Sequence, residues 1–103
     1  MKLSIVATVL LALAGTAGIA QTIPQRQINQ QDRIAQGIRS GRLTPRETRA
    51  LEGREMSINR QERAMRRADY GRLTRRDRVI LNHRLNRTSR AIYRDKHNGF
   101  RRG

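Results

Sequence analysis

A pattern that would end one helix and begin the next occurs twice in this chain, at a spacing of thirty residues. Residues 40–47 read SGRLTPRE, and residues 70–77 read YGRLTRRD. A chain that repeats a helix stop and a helix start in this way is expected to fold as consecutive helices joined by similar corners. The repeat therefore predicts an all-α architecture for the region around both copies.

Each copy carries three residue types that suit a helix corner. A glycine readily adopts the left-handed conformation that ends many helices, and a threonine is a preferred N-cap for the next helix. An acidic residue three positions after the threonine completes a capping box. The helix-corner residues are Gly41, Thr44 and Glu47 in the first copy and Gly71, Thr74 and Asp77 in the second.

These boundaries predict three amphipathic helices, at roughly 25–40, 45–68 and 75–97, within one small domain of residues 21–98. Residues 99–103 are expected to form a frayed basic tail. The alternative is disorder, because the chain combines only 36% hydrophobic residues with a net charge of +15. The helical periodicity and the capping residues favour the folded alternative.

The two Gly-x-Leu-Thr corners also match the second half of an EF-hand calcium loop, in which a glycine makes the turn and a glutamate closes the site. The first, third and fifth positions of such a loop supply ligands to the ion, and neither copy has a carboxylate at any of these positions. We therefore interpret the corners as degenerate EF-hand-like helical hairpins without metal ligands. The residues at those positions are Gln36, Ile38 and Ser40 in the first copy and Arg66, Ala68 and Tyr70 in the second.

Each predicted helix has a narrow apolar stripe on a helical projection. In the second helix Glu62 falls within the stripe, and we interpret its carboxylate as paired with an arginine of a neighbouring helix. Stripe residues seven positions apart favour shallow helix–helix contacts, and a homodimer formed through the stripes would bury more apolar surface. The stripes are Ile28, Ala35 and Ile38 with Ile34 at the edge, then Leu51, Ile58 and Met65, then Leu81, Leu85, Thr88 and Ile92 beside Ile80.

The first twenty residues have the features of a secretory signal peptide. A lysine at position 2 precedes an apolar run at 5–14, and Gly18 and Ala20 supply the small residues of a cleavage site. The run is shorter than the about 20 apolar residues of a membrane-spanning helix, which argues against a membrane anchor. We expect a periplasmic protein that is cleaved after Ala20, starts at Gln21 and has no transmembrane segment in its mature chain.

Groups that could carry catalysis or bind a cofactor do not converge in this sequence. His83 and His97 lie about 21 Å apart along a helix, too far to bind one metal within a chain. Ser89 and His83 fall on different helix faces, so they form no nucleophile–base pair. The chain contains no cysteine. We expect no enzymatic activity, no cofactor and no metal site.

The excess of basic residues points to anionic partners. The chain has 23 lysines and arginines against 8 acidic residues, and such an excess creates a field that attracts anions. Arginine binds phosphate through its planar fork. The second and third helices are predicted to carry a cationic face opposite their apolar stripes. The predicted anion-binding residues are Arg49, Arg60, Arg63, Arg67, Arg90 and Arg94.

The partners available to an exported basic protein are anionic lipids, acidic polymers and acidic client proteins. Nucleic acid is less expected, because only Tyr70, Tyr93 and Phe100 could stack on bases. A basic surface that is merely solvated is a further alternative. We predict a non-enzymatic protein that binds anionic partners in the cell envelope. The alternatives are an envelope structural or membrane-surface protein and a nucleic-acid-binding protein.

The segments 43–47 and 73–77, which read Leu-Thr-x-x-acid, resemble the paired Leu-Thr-x-x-Gln motifs of the Spy/CpxP-like periplasmic proteins. Those proteins are small, exported and helical, they form cradle-shaped dimers, and some act as chaperones. The resemblance therefore implies a chaperone-like or envelope-stress role, although this chain has an acid where the family has glutamine. Segments 30–44 and 89–98 are also similar to a group of uncharacterised, signal-bearing proteobacterial proteins, which implies a Gram-negative periplasm.

Overall fold

The computed structural model describes residues 21–99, which form three α-helices. Helix α1 is Ile23–Arg39, α2 is Pro45–Ala68 and α3 is Arg75–Lys96. This range contains no strand, so the all-α prediction is confirmed, and every helix boundary lies within two residues of the predicted position. The predicted signal peptide, residues 1–20, and most of the predicted tail, residues 100–103, lie outside the described residues.

The helices form an up–down–up bundle in which α1 and α3 run parallel. Side-chain hydrogen bonds join Arg26 to Asn82 and Arg33 to Ser89, so the partners advance in the same direction along both helices. Helix α2 runs antiparallel to both, because each corner between consecutive helices is short. All three pairs of helices are in contact.

The buried apolar side chains form two clusters along the bundle. Every helix contributes to both clusters, which is what holds the three helices in one unit. Burying one such side chain stabilises the fold by about 1.5–3 kcal/mol, so a core of this size leaves a small domain only modestly stable. The first-corner cluster contains Ile34, Leu43, Leu51, Ala91 and Ile92, and the second-corner cluster contains Ile23, Ile58, Leu81 and Leu85.

The apolar stripes of α2 and α3 are used inside one chain. Leu51, Ile58, Leu81 and Leu85 are each at most 1% exposed. These side chains are therefore not available to a second copy, and a homodimer would need a different surface from the one predicted. The homodimer itself stays a prediction.

The predicted buried face of α1 is partly wrong, although Ile38 packs against the first-corner cluster. Ile28 is 58% exposed, whereas Ile34, at the edge of the predicted stripe, is fully buried. The side of α1 that faces the other helices carries Ile23, Gln30, Ile34 and Gly37. Two of these four residues, the glutamine and the glycine, are not hydrophobic. A helical projection that counts only apolar residues therefore indicates the neighbouring side of the helix as the buried one.

Both corners contain the predicted capping box. In the first, the Glu47 N–H donates to Thr44 Oγ1 at 3.1 Å, and the Thr44 N–H donates to Glu47 Oε1 at 3.0 Å. In the second, the Asp77 N–H donates to Thr74 Oγ1 at 3.0 Å, and the Thr74 N–H donates to Asp77 Oδ2 at 3.1 Å. Free N–H groups at the starts of α2 and α3 are thereby satisfied.

The corners differ in how the preceding helix ends. After α1, Gly41 has a φ of 75°, and the Arg42 N–H donates to Gly37 O at 2.9 Å, which is a Schellman motif. After α2, Tyr70 has a φ of 53° and Gly71 has a φ of 86°. The left-handed position that follows the cap of α2 is therefore taken by a tyrosine, a residue that rarely adopts this conformation.

Gly37 allows the first corner to close against α1. A Cβ atom at this position would lie 2.6 Å from both Cγ and Cδ1 of Leu43 and 3.3 Å from Cγ of Lys96. Leu43 is 1% exposed within the first-corner cluster, so it cannot move aside without disturbing close-packed neighbours. The glycine is thus required by tertiary packing and not by its own backbone conformation.

We expect Gly37→Ala to destabilise the bundle by roughly 1–3 kcal/mol, because the added methyl group overpacks the core. Gly53→Ala is the matched control, since an added Cβ there meets no atom within 4 Å. It should stabilise α2 by roughly 0.5–1 kcal/mol. Urea unfolding followed by circular dichroism measures both changes. A Gly37→Ala variant as stable as the control would contradict the packing of Leu43 on α1.

Candidate anion-binding surface

All six predicted anion-binding arginines are exposed. The four on α2 lie opposite its buried residues on a helical projection, and the two on α3 lie opposite the buried residues of that helix. Because both buried sides face one core, the two sets point away from each other. The structure therefore separates them into the α2 face, Arg49, Arg60, Arg63 and Arg67, and the α3 pair, Arg90 and Arg94.

Carboxylates neutralise little of this charge. Within residues 21–99, the ion pairs shorter than 4.0 Å are Arg66–Glu62 at 2.8 Å and Arg94–Asp95 at 3.7 Å. The α2 face consequently has no ion-pair partner in the described part of the chain. The predicted pairing of Glu62 with a neighbouring helix is wrong, because its Oε2 accepts from Nε and Nη2 of Arg66, one turn along the same helix.

A second group of arginines is half-buried between helices and joins them through neutral acceptors. Arg26 donates to Asn82 Oδ1 at 2.8 Å and to Asn86 Oδ1 at 2.7 Å. Arg33 donates to Ser89 Oγ at 2.7 Å. These contacts tie α1 to α3, yet they leave the positive charge of each guanidinium uncancelled because amides and hydroxyls carry no net charge.

Arg84 makes the equivalent link between α3 and α2. It donates to Gln61 Oε1 and, at 2.9 Å, to Ser57 Oγ. These linking arginines were not predicted from the sequence. Their positions beside the buried residues of each helix were a usable signal, because a long side chain there can lie along the interface and keep its charged end near water.

A layer of polar side chains, one from each helix, separates the two apolar clusters. Gln30 lies between Ile23 and Ile34 in α1, and Glu55 and Thr88 hold the corresponding positions in α2 and α3. All three polar residues are at most 5% exposed. In the described residues, Gln30 Oε1 and Glu55 Oε2 have no hydrogen-bond partner. This layer was not predicted from the sequence.

The position of Glu55 raises its pKa to about 7. Burial is the larger cause, because the ionised carboxylate loses its hydration, and the nearby negative charge of Glu52 adds to the shift. Glu55 therefore exchanges its proton near neutral pH inside the core. Ionisation of Glu55 therefore destabilises the folded core around it.

Glu47 makes a tertiary contact in addition to its part in the capping box. Its Oε2 accepts a hydrogen bond from Asn98 Nδ2 at 2.7 Å, which joins the start of α2 to the residues after α3. Burial acts to raise the pKa of Glu47, but the hydrogen bonds from Thr44 and Asn98 outweigh it and the pKa is lowered. The carboxylate therefore stays ionised at neutral pH.

Residues 21–99 contain no group of three or more His, Cys, Asp or Glu side chains arranged to hold a metal ion. The His97 ring stacks on Tyr93 with a centroid separation of 4.0 Å, and its Nδ1 lies 2.6 Å from Tyr93 O. None of the three helices has the length and apolar character needed to cross a bilayer.

Comparisons with protein-family models, with curated proteins and with solved structures found no match to this chain.

We expect Glu55 to make stability depend on pH. Its folded-state pKa of about 7 exceeds the ordinary value of 4.5, so the folded state binds the proton more tightly than the unfolded state. Its contribution is most favourable below about pH 4.5 and falls as pH rises to about 7. Between pH 5 and pH 8, the free energy of unfolding should fall by roughly 2–3 kcal/mol more in the wild type than in Glu55→Gln.

Chemical unfolding at the two pH values measures this difference. Because each variant is compared with itself at two pH values, a constant cost of burying the glutamine amide does not affect the result. Asp32→Asn is the control, because Asp32 is exposed on α1. It should keep the pH dependence of the wild type. Equal pH dependence in the wild type and in Glu55→Gln would show that Glu55 has an ordinary pKa.

Proposed function

We propose that this chain is an exported, non-enzymatic protein that binds anionic partners of the cell envelope through the α2 face. The observation that carries the proposal is the row of exposed arginines on α2 without a carboxylate partner in the described residues. Between Arg49 and Arg67 the row runs about 27 Å along the helix. That length suits an extended anionic surface better than a single small anion.

The way the bundle uses its other arginines also supports an anionic partner. Those that link helices bind neutral acceptors, so the fold itself cancels little of the chain's charge of +15. Positive charge that remains unpaired repels itself and costs stability unless a partner neutralises it. An anionic membrane or polymer would relieve this repulsion.

A chaperone-like role is the second candidate. The α2 face also carries Met56, which is 59% exposed and lines a shallow groove of about 200 Å³ with Asn59, Arg60 and Arg63. A flexible apolar side chain among cations suits adaptable contacts with acidic, partly unfolded proteins. This reading agrees with the expectation from the Leu-Thr motifs, and it would use the same surface.

Nucleic acid is less well supported. Base stacking requires exposed aromatic side chains within the basic surface. In the described residues, Tyr93 is already stacked on His97, and Tyr70 lies at the second corner, beyond the end of α2. The α2 face itself carries arginine without an aromatic partner.

We expect Arg49→Gln/Arg60→Gln/Arg63→Gln/Arg67→Gln to weaken binding to vesicles that contain phosphatidylglycerol. The loss should be roughly 1 kcal/mol per arginine at low salt, and binding by the wild type should weaken steeply as salt rises. Glutamine is a good helix former, so helicity should be kept. Vesicle co-sedimentation measures the binding, and circular dichroism measures the helicity.

A control variant should remove the same charge from exposed positions that do not form one row: Arg39→Gln/Arg54→Gln/Arg76→Gln/Arg87→Gln. The control is expected to lose clearly less affinity than the α2-face variant. Equal losses would mean that only the total charge matters. Binding that survives both variants and high salt would reject the α2 face as the anion-binding surface. An added acidic client protein tests the chaperone-like alternative in the same variants.

A further inference from the structure

An open, basic hollow lies where the second corner meets the start of α1. It has a volume of about 420 Å³. Its apolar lining comes from Ile23 and Pro24 in the first turn of α1 and from Leu73 in the corner. Three arginines, Arg66, Arg72 and Arg78, also line the hollow. The site is therefore cationic and apolar at once, and it is separate from the α2 face.

The first corner does not leave its leucine open in this way. Leu43, the counterpart of Leu73 in the repeat, is 1% exposed and belongs to the first-corner cluster. It fits against α1 because Gly37 has no side chain. Leu73 only packs along the edge of the second-corner cluster and remains partly exposed. One corner of the repeat is thus closed and the other is open.

Hydrogen bonds to backbone carbonyls of the corner orient two arginines of the hollow, and N–H groups of the hollow's arginines remain available to a ligand. Arg66 donates from Nη1 to Gly71 O at 3.1 Å, and Arg78 donates from Nη1 to Leu73 O at 2.8 Å. Arg78 keeps its Nη2 and Nε donors free of partners in the described residues. The Arg72 backbone N–H donates to Asp69 O at 2.9 Å, but its guanidinium has no hydrogen-bond or ion-pair partner there. A guanidinium held in this way can bind an oxyanion with two of its N–H groups.

Acidic residues counter the hollow only weakly. Glu62 neutralises Arg66, but the first turn of α1 contains no acid. The first turns of α2 and α3 each contain one. The partial positive charge at the start of α1 is therefore left uncompensated beside Arg72 and Arg78, which have no carboxylate partner in the described residues.

An exposed aromatic side chain projects from the same corner. Tyr70 is 98% exposed and holds a left-handed backbone conformation with a φ of 53°. A tyrosine in this conformation is strained, and strain of this kind clusters at functional sites. Tyrosine is also one of the two residues enriched at the headgroup level of membranes.

From these features we infer that the second corner docks on an anionic membrane and binds one phospholipid headgroup. Arg72 and Arg78 hold the phosphate, Pro24 and Leu73 contact the glycerol and the first part of an acyl chain, and Tyr70 enters the interface. A free phosphate would leave the apolar lining and the tyrosine unused. A lipid headgroup in a membrane uses both as well as the charge.

The inference rests on the proposed function only in assuming a location at the envelope. The α2 face and the second corner use different arginines, so either can fail alone. In particular, the α2-face variant should keep the binding of a single soluble lipid, because none of its four arginines lines the hollow.

The first test is a titration of the protein with dihexanoylphosphatidylglycerol below its micelle concentration, followed by calorimetry and by amide chemical shifts. We expect one site, with shifts centred on Ile23, Gly71 and Leu73. Arg72→Gln/Arg78→Gln should weaken binding roughly tenfold or more, because charged hydrogen bonds are lost. Arg75→Gln/Arg76→Gln removes the same charge from exposed positions in the first turn of α3 and should change the affinity less than about twofold.

Two further ligands distinguish the sources of binding. Glycerol 3-phosphate should bind much more weakly than the lipid, and equal binding would identify a free-phosphate site and overturn the inference. Dihexanoylphosphatidylcholine has the same phosphate beside a cationic choline, so it should bind more weakly, and equal binding would overturn the inference of a site for an anionic headgroup. Because Arg78 also holds Leu73 O, Arg72→Gln alone is the second variant. An unchanged affinity in that variant and in the double variant would overturn the site.

The second test asks whether Tyr70 enters the membrane. The chain has two tyrosines and no tryptophan, so Tyr93→Phe leaves Tyr70 as the only strong fluorophore. Brominated phosphatidylglycerol vesicles should quench its fluorescence on binding. The reciprocal variant Tyr70→Phe reports Tyr93, which should stay unquenched on the bound protein. Vesicle binding without quenching of Tyr70 would overturn docking through the corner and leave the α2 face as the contact.

Discussion

Arginine bound to neutral acceptors is the interaction on which this bundle and its surface both depend. Arg26 and Arg33 join α1 to α3 through asparagine and serine, and Arg84 joins α3 to α2 through glutamine and serine. A carboxylate in any of these places would have cancelled a charge. Neutral acceptors give the hydrogen bonds that a thin core needs, and they leave the positive field intact. The structure of the interior therefore supports the anionic partners that we propose for the exterior.

The core has a polar centre, and this makes the stability of its packing depend on pH. Two small apolar clusters are separated by a layer that includes Gln30 and Glu55. Polar atoms without partners are costly inside a protein, and the ionised form of Glu55 adds to that cost as pH rises toward 7. Polar residues at such positions can fix the register of packed helices. We interpret the layer as a source of register in a bundle whose apolar stripes are narrow.

The repeat produces two ends with different properties. The closed corner buries Leu43 against Gly37, while Leu73 of the open corner lines a basic hollow and Tyr70 is almost fully exposed. The capping boxes are alike in both, because they depend only on four consecutive residues. The difference arises from what surrounds each corner. At the first corner, Leu43 packs against α1 at Gly37. At the second corner, the start of α1 lies beside arginines.

The number of helices, their limits, the capping boxes and the buried apolar residues Leu51, Ile58, Leu81, Leu85 and Ile92 could be determined from sequence alone. They follow from local interactions and from periodicity, which a sequence displays directly. Tertiary structure alone decided the buried face of α1, the partner of Glu62, the division of the six arginines into two surfaces, and the need for Gly37. It also placed Glu55 in the core and joined Arg26 to a residue 56 positions away. Each of these depends on groups from distant parts of the chain, whose approach is set by the packing of all three helices together.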